Sequence, residues 1–440
     1  MLSIITCKLL IFIGRLLGRG SVMPGRAALI LRPDILARIK LPPIIVAVTG
    51  SNGKTTTTDL ICKAAKASGK RVVCNNIGSN LIEGITTALL GQCSIWGKVK
   101  ADIAVLECDE RHCENIFRYF SPTHMVIGNL LRDQTSRNGS IEFVASRLRK
   151  GIPSTTHLIL NADDPNVAVF AQENAPVTWF GVTAEALRTA NTPYVADDGV
   201  RCTACYGKMT YTYRILDHLG DYMCTECNLS RPSPAHVVTD IIDGAFVVND
   251  DIKIKQRFTS PFAAYNMVAT YAVAHDVFGM TSMQIADILS ESVTKNQYIN
   301  RIQDMKLGDQ PVLFLLCKHE NITGYNGALR SIVELGHDTT VVIIVDALSR
   351  KYSANDMSWL WDINFEQLAA APHVKRVIVG GLFAHDVAVR LDFAGIEQSR
   401  LDIHANLDDM MTTLKETSDS PIHLITCFTD IAKFKERLAP

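Results

Sequence analysis

The sequence predicts an α/β protein. A doubly wound, mostly parallel sheet fills residues 41–302, and a smaller Rossmann-like α/β domain fills 303–440. Three observations predict this. Short apolar runs alternate with helical stretches from Leu41 to about residue 161, the rhythm of parallel strands joined by crossover helices. The rhythm breaks over about 182–257, where polar and β-type stretches such as YTYRIL carry two Cys-x-x-Cys pairs. It resumes near 311 with PVLFLL, TVVIIV, RVIVGG, LDIH and PIHLIT, separated by helical segments.

The elements follow in order. IIVAV (44–48) is a buried strand, and a helix runs from Lys54 to about Ser68, closed by Gly69. RVVC, a helix near 80–91, IAVLE (103–107), HMVIG (124–128), a helix near 140–150 and HLILN (157–161) continue the series. Helical pattern returns at YNMVATYAVAHDVFG after the insertion. Residues 1–40 hold leucines and isoleucines with Lys8, Arg15 and Arg19. The apolar run is too short to span a bilayer, and there is no convincing signal cleavage site. This segment reads either as a helix packed on the first domain or as an amphipathic helix lying on a membrane.

Composition bounds the function. Of 440 residues, 47% are hydrophobic and 20% charged, and the net charge is −1. That is an ordinary globular balance, with no basic excess to argue for nucleic acid as a partner. Twelve cysteines are present; eight are scattered in mostly apolar surroundings and read as packed free thiols of a reducing cytoplasm, not a disulfide framework.

VAVTGSNGKTTTT is the most informative stretch. A buried strand runs into Gly50, Ser51, Asn52, Gly53, Lys54, Thr55 and Thr56 and then a helix. Glycines let backbone amides face a phosphate, and the helix presents its positive end to it. Lys54 would neutralise terminal phosphates, and Thr55 or Thr56 would offer a hydroxyl to Mg²⁺. Val48 stands where the common spacing has glycine, so the loop is a shorter variant. Glu107, Asp109 and Glu110 end the IAVLE strand, where acidic groups face a ligand crevice and suit Mg²⁺. Asn76 could approach the phosphates or simply belong to a turn.

Cys202, Cys205, Cys224 and Cys227 form a two-knuckle pattern. Four thiolates at this spacing close a tetrahedron around Zn²⁺, and with no position left open the role is structural. Redox pairs and packed free cysteines are the other readings; flanking Tyr211, Tyr213 and Tyr222 suggest β segments instead of a thioredoxin-like helix start. His218 is either a substitute ligand or a packing residue.

TGSNGKTTT resembles the ATP loop of the Mur ligases and folylpolyglutamate synthases. The resemblance continues through Glu107, GNLLRDQ (128–134), LNADDP (160–165) and AYNMVATYAVA (264–274), which carries Asn266. It implies a Mur-ligase-like central domain that binds ATP through the loop, Asn266 and Arg301, with Glu107 and Thr55 on Mg²⁺. The cysteine insertion (zinc ribbon at 200–232), DMSWLWDINFE (356–366) and HDVAVRLDFAGI (385–396) are similar to the amidating branch of that family. Departures are Gln134, NRIQ (300–303), CKHENITGYN (317–326) and SANDMSW, which replaces the Asp-Gly usual before the key aspartate.

Membership of that branch would imply ATP-dependent amidation of the D-glutamate α-carboxylate of lipid II through an acyl phosphate. Ammonia would come from a GatD-type glutamine amidotransferase partner. The work would be done in the cytoplasm, against the inner face of the membrane where lipid II resides. Asp356 matches the acid that would complete the partner's Cys-His set, with Asp362 as second choice; otherwise Asp356 is a helix cap. Trp359 and Trp361 are interface anchors or core aromatics. Alternatives are a stand-alone amino-acid-adding ligase of Mur or folylpolyglutamate type, and a nucleotide-regulated adaptor.

Overall fold

The computed structural model describes residues 1–16, 22–75, 79–172, 176–188, 198–256, 259–294, 302–307, 310–346, 356–416, 420–427 and 430–438. Asn76 and Arg301 lie outside them. The chain divides into two compact units. The first comprises Met1–Leu131, Ser140–Asn191 and Asp198–Lys295; the second comprises Arg132–Gly139, Thr192–Asp197 and Asn296–Pro440.

The first unit is built on a nine-stranded sheet. Its parallel part contains β1 (Ile44–Thr49), β2 (Val72–Cys74), β3 (Ile103–Glu107), β4 (His124–Ile127), β5 (His157–Asn161) and β6 (Val177–Val182). The strand β1 lies between β3 and β4, so the chain reverses its direction of travel across the sheet at the strand that feeds the glycine loop. Open sheets bind ligands at such a reversal, beyond the carboxyl ends of the strands. Side chains of β1 alternate between two cores: Val46 and Val48 pack under the helices Lys54–Ala67 and Pro261–Asp276, and Ile45 and Ala47 pack on the opposite face.

That opposite face is covered by the helix Ile82–Gly91 and by α1 (Leu2–Leu16) and α2 (Met23–Leu31). Ile4 and Cys7 of α1 are buried there, as a packed N-terminal helix requires.

The insertion is smaller than the sequence suggests. A separate antiparallel hairpin, β7 (Met209–Leu216) with β8 (Leu219–Cys224), carries the cysteines. By contrast β9 (His236–Ile242), β10 (Ala245–Val248) and β11 (Ile252–Lys255) extend the main sheet, with β9 parallel to β6 and the last two antiparallel. Polar alternation along β9 and the edge strand β11 hides their membership, because only one face of each is buried, whereas the short β10 between them is buried throughout.

The free-thiol reading also needs correction. Cys62 and Cys74 are joined in a disulfide. The helix Lys54–Ala67 packs over β2, which brings two thiols twelve residues apart in sequence into bonding range.

The second unit holds a six-stranded sheet in the order β12-β13-β17-β14-β15-β16. These are β12 (Ile302–Leu307), β13 (Gln310–Leu316), β14 (Thr339–Ile344), β15 (Val374–Gly380), β16 (Leu401–His404) and β17 (Ile422–Thr426). All neighbours are parallel except β12, which forms a hairpin with β13. The sequence reading begins this domain at 303 but counts its strands only from near 311, and so misses β12, whose IQDMKL mixes polar and apolar residues as a one-sided edge strand does.

Candidate functional site

Two glycines shape the loop after β1. Gly50 has φ +139°, and a Cβ there would lie 3.0 Å from the Asn129 carbonyl oxygen. Gly53 has φ +83°, and a Cβ there would lie 2.1 Å from Asn266 Oδ1. A side chain at either position meets both strain and a neighbour. In the helix that follows, Lys54 is succeeded by four threonines, poor helix formers; tertiary contacts hold it, with Thr57 and Thr58 buried and Thr57 Oγ1 donating to Asn266 Oδ1 at 3.1 Å.

Asn129 clamps the loop from the β4 side. The Asn52 N–H donates to its Oδ1 at 2.9 Å, its Nδ2 donates to the Asn52 carbonyl at 3.1 Å, and the Ser51 N–H donates to its carbonyl at 2.8 Å. Ser51 Oγ exchanges hydrogen bonds with the backbone of Leu131, both at 2.9 Å. These bonds fix the loop before any ligand arrives, which is the arrangement that keeps phosphate binding cheap in reorganisation. The sequence assigned Asn129 no role.

Lys54 Nζ lies 3.0 Å from Glu110 Oε2 and also donates to the carbonyls of Gly50 and Ser51. The ammonium is therefore held over the loop by its own backbone and by an acid from the end of β3. Thr55 is exposed at the second helical position, whereas Thr56 is half-buried. Glu107 is buried, accepts from Asn80 Nδ2 at 3.2 Å, and has its backbone gripped by Asn75. Asp109 turns inward to accept the Arg111 N–H at 3.0 Å. Thus the three strand-end acids divide: Glu110 pairs the lysine, Asp109 shapes the turn, and Glu107 with the Thr55 hydroxyl offers oxygen ligands of the kind Mg²⁺ takes. The structure brings together Gly50, Ser51, Asn52, Gly53, Lys54 and Asn266.

LNADDP carries two aspartates that bond within the fold. Asp163 and Asp164 are fully buried. Asp163 accepts from Arg231 Nε at 2.7 Å, Tyr265 Oη at 2.9 Å and the Val182 N–H at 2.7 Å. Burial pushes its carboxyl pKa up, against the lowering effect of Arg231. Asp164 accepts from the Leu130 N–H at 2.7 Å and lies 3.2 Å from His218 Nε2. Arg231 and His218 belong to the insertion, so the two aspartates fasten the cysteine hairpin to the sheet. His218 is a buried bridging residue and is not in the cysteine cluster.

The sulfurs of Cys202, Cys205, Cys224 and Cys227 all lie within 4.8 Å of one another. Cys202 and Cys227 are 3.7 Å apart, and Cys205 and Cys224 are 3.5 Å apart. Bonds of about 2.3 Å to a central Zn²⁺ put tetrahedral sulfurs about 3.8 Å apart, so the donor set fits that ion. The N–H of Gly207 donates to Cys205 Sγ, and those of Glu226 and Cys227 to Cys224 Sγ, each at 3.4 Å. The latter two bonds, Glu226 first, hold the Cys224 thiol down at about 7 and favour the thiolate a metal requires.

In the second unit Asp356 is exposed, and its Oδ1 accepts the Ser358 N–H at 2.9 Å, which holds its carboxyl below the usual range. It stands one residue before Met357, the N-cap of the short helix Ser358–Asp362. Asp362 pairs with Arg132 Nη1 at 2.9 Å. The two tryptophans separate: Trp359 is buried against Tyr325 and His319, whereas Trp361 is 47% exposed and meets Phe393 edge-to-face. Trp361, His385, Asp386 and Val389 line a cleft of about 370 Å³. Deeper, His319 Nε2 bonds Asp430 Oδ2 at 3.1 Å and its Nδ1 meets Tyr325 Oη at 3.1 Å, beside Cys427.

Residues 48–222 match the model of the Mur ligase middle domain, and residues 319–431 match that of the MurT ligase C-terminal domain. The chain is 30% identical over 434 residues to the lipid II isoglutaminyl synthase (glutamine-hydrolyzing) subunit MurT of Streptococcus pneumoniae, covering 96% of this chain and 93% of that one. It is 28% identical over 383 residues to the MurT subunit of Staphylococcus aureus strain COL, covering 86% and 84%. Solved structures share the fold. A pseudomurein peptide ligase type C from Methanothermus fervidus superposes with a TM-score of 0.67 at 18% identity, covering 92% of this chain and 79% of that one. MurF ligase from Thermotoga maritima in complex with ADP gives 0.59 at 13% identity, covering 94% and 84%. With likeness running through both units and nearly the full length of the pneumococcal relative, the chain belongs to the MurT family of the Mur ligases.

Proposed function

We propose that this chain is the synthetase subunit of a lipid II isoglutaminyl synthase. It amidates the D-glutamate α-carboxylate of the stem peptide with ammonia from a GatD-type glutaminase. The observation that carries the reading is the pneumococcal relative's likeness over 96% of this chain, which takes in both units.

A carboxylate is a poor electrophile. Its oxygen attacks the γ-phosphorus of ATP, the bridging P–O bond breaks, and ADP leaves with an acyl phosphate formed. Ammonia then adds to the acyl carbon, the C–O bond to phosphate breaks, and phosphate departs as the nitrogen loses a proton. The loop amides and Lys54 hold the phosphates, exchanging the ammonium's bonds to Glu110 and the loop carbonyls for phosphate oxygens. Mg²⁺, held by Thr55 and Glu107, would neutralise charge on the transferring group. Asn266 supports Gly53, and Arg301 is assigned to phosphate. Cys202, Cys205, Cys224 and Cys227 would hold Zn²⁺, which would stiffen the hairpin.

Asp356, exposed beside the cleft that Trp361 lines, orients the catalytic histidine of the glutaminase. Asp362 is the weaker candidate because Arg132 already pairs it. The work is cytoplasmic and takes place at the membrane face, since lipid II is lipid-linked.

The test combines the purified chain with a GatD-type glutaminase, ATP, Mg²⁺, glutamine and lipid II. Mass spectrometry should find lipid II converted from acid to amide, and Lys54→Met should abolish this. An ammonium salt should replace glutamine for the chain alone. No amide from either nitrogen source, with intact protein, refutes the reading. Glutamine hydrolysis unaffected by Asp356→Asn refutes that residue's role.

A further inference from the structure

The N-terminal helix presents its apolar side outward. Leu2, Ile5, Leu9, Phe12 and Leu16 recur at three- and four-residue spacing and form one stripe along α1. Leu9, Phe12 and Leu16 are 56%, 62% and 72% exposed, while the opposite side buries Ser3, Ile4 and Cys7. Exposed apolar residues at helical spacing form a contiguous patch, and such patches on soluble folds mark contact surfaces.

A second exposed element follows the helix on which α1 packs. Lys8 Nζ donates to the Gly91 carbonyl at 2.9 Å, and a Cβ on Gly91 would lie 3.3 Å from Ile11 Cδ1. So α1 packs on the carboxyl end of the helix Ile82–Gly91. A tight turn follows, closed by the Gly97 N–H on the Ser94 carbonyl at 3.0 Å, and Ile95 and Trp96 stand at its tip. Trp96 is 83% exposed. No packing requirement places a bare tryptophan on a turn, whereas the bilayer interface favours that ring.

Charge chooses the occupant. The first 33 residues contain Lys8, Arg15, Arg19, Arg26 and Arg32 and no acidic residue. An apolar stripe within a purely cationic segment complements an anionic phospholipid surface. A second copy of the same face would bring like charges together. At about 1.5 Å per residue, the 15-residue α1 is shorter than the hydrocarbon core is thick, and among the described residues no helix is long and apolar enough to cross it.

We propose that the outer face of α1, together with Ile95 and Trp96, docks this protein in the plane of an anionic bilayer. The bilayer is where the proposed substrate resides, but the surface is argued independently of that reaction. Docking would convert the search for a lipid-linked substrate from three dimensions to two.

The full chain is sedimented with vesicles of phosphatidylglycerol and phosphatidylethanolamine, and with vesicles of phosphatidylcholine alone. Binding to the anionic vesicles should be about tenfold tighter or more, and should weaken at high salt. Leu9→Glu and Phe12→Glu should each reduce it about tenfold, with melting temperature and ATP hydrolysis unchanged. Four tryptophans are present, and the vesicle-induced blue shift of their fluorescence should vanish in Trp96→Phe. Equal binding by parent and variants overturns the proposal, as does no binding by the parent. A solution dimer that Phe12→Glu dissociates overturns it in favour of a second copy. Amidation of detergent-solubilised lipid II without vesicle binding refutes docking alone; vesicle binding without amidation refutes the ligase reading alone.

Discussion

Replacing Asp163 by alanine tests what fastens the cysteine hairpin to the nucleotide-binding sheet. The carboxylate is fully buried and accepts three hydrogen bonds, from Arg231 at 2.7 Å, Tyr265 at 2.9 Å and the Val182 N–H at 2.7 Å. Its loss strands a mostly buried guanidinium and two further donors. Removing one partner of a buried ion pair costs about 3–5 kcal/mol, because the other charge stays desolvated. For a unit of this size that corresponds to a melting drop on the order of 10 °C. Burial raises the Asp163 pKa despite Arg231, which says that desolvation outweighs the pair's attraction. The double variant Asp163→Leu with Arg231→Met should therefore cost less than Asp163→Ala alone, since it leaves no orphaned charge. Calorimetry and urea unfolding of the three proteins decide it. A single variant within about 1 kcal/mol of the parent would refute the reasoning, as would a double variant no better than the single.

Three further outcomes follow from the geometry. Gly53→Ala combines a left-handed φ with a 2.1 Å approach to Asn266, and should weaken ATP binding about tenfold or more by titration calorimetry. Cys224→Ser should lose bound zinc by elemental analysis and lower the melting temperature; full zinc retention would remove the metal reading. For His319, burial lowers the pKa, but Asp430 and Cys427 outweigh it and push it up to about 9, while Asp430 is lowered. The His319 contribution is complete below its ordinary value and lost as pH rises through about 9. The Asp430 contribution is present above the ordinary carboxylate value and lost as pH falls through its lowered one. The difference in stability between parent and His319→Asn should thus reach roughly 3 kcal/mol near pH 6 and shrink by pH 10; a pH-independent difference would contradict it.

Much of the architecture was legible in the chain. Fully buried parallel strands such as IIVAV and IAVLE read as continuous apolar runs, and Gly50 to Thr56 announced a phosphate loop because each residue type has a local mechanical reason to be there. The cysteine spacing announced a tetrahedral donor set for the same reason. Strands toward the sheet margins were less visible: β9, β11 and β12 expose one face, and half-buried alternation resembles a polar insertion or loop.

By itself, then, the sequence determined what depends on neighbours along the chain: the strand–loop–helix order, the knuckle spacing and the cationic apolar N-terminus. Tertiary structure alone decided which distant groups meet. It gave Lys54 to Glu110, Asn266 to Gly53 and Asn129 to the loop; it paired Cys62 with Cys74 and turned Asp163 and Asp164 into hairpin fasteners. It also buried Trp359 while exposing Trp361 two residues later. Periodicity fixes a side chain's direction on its own element, but only packing against other elements determines what it faces.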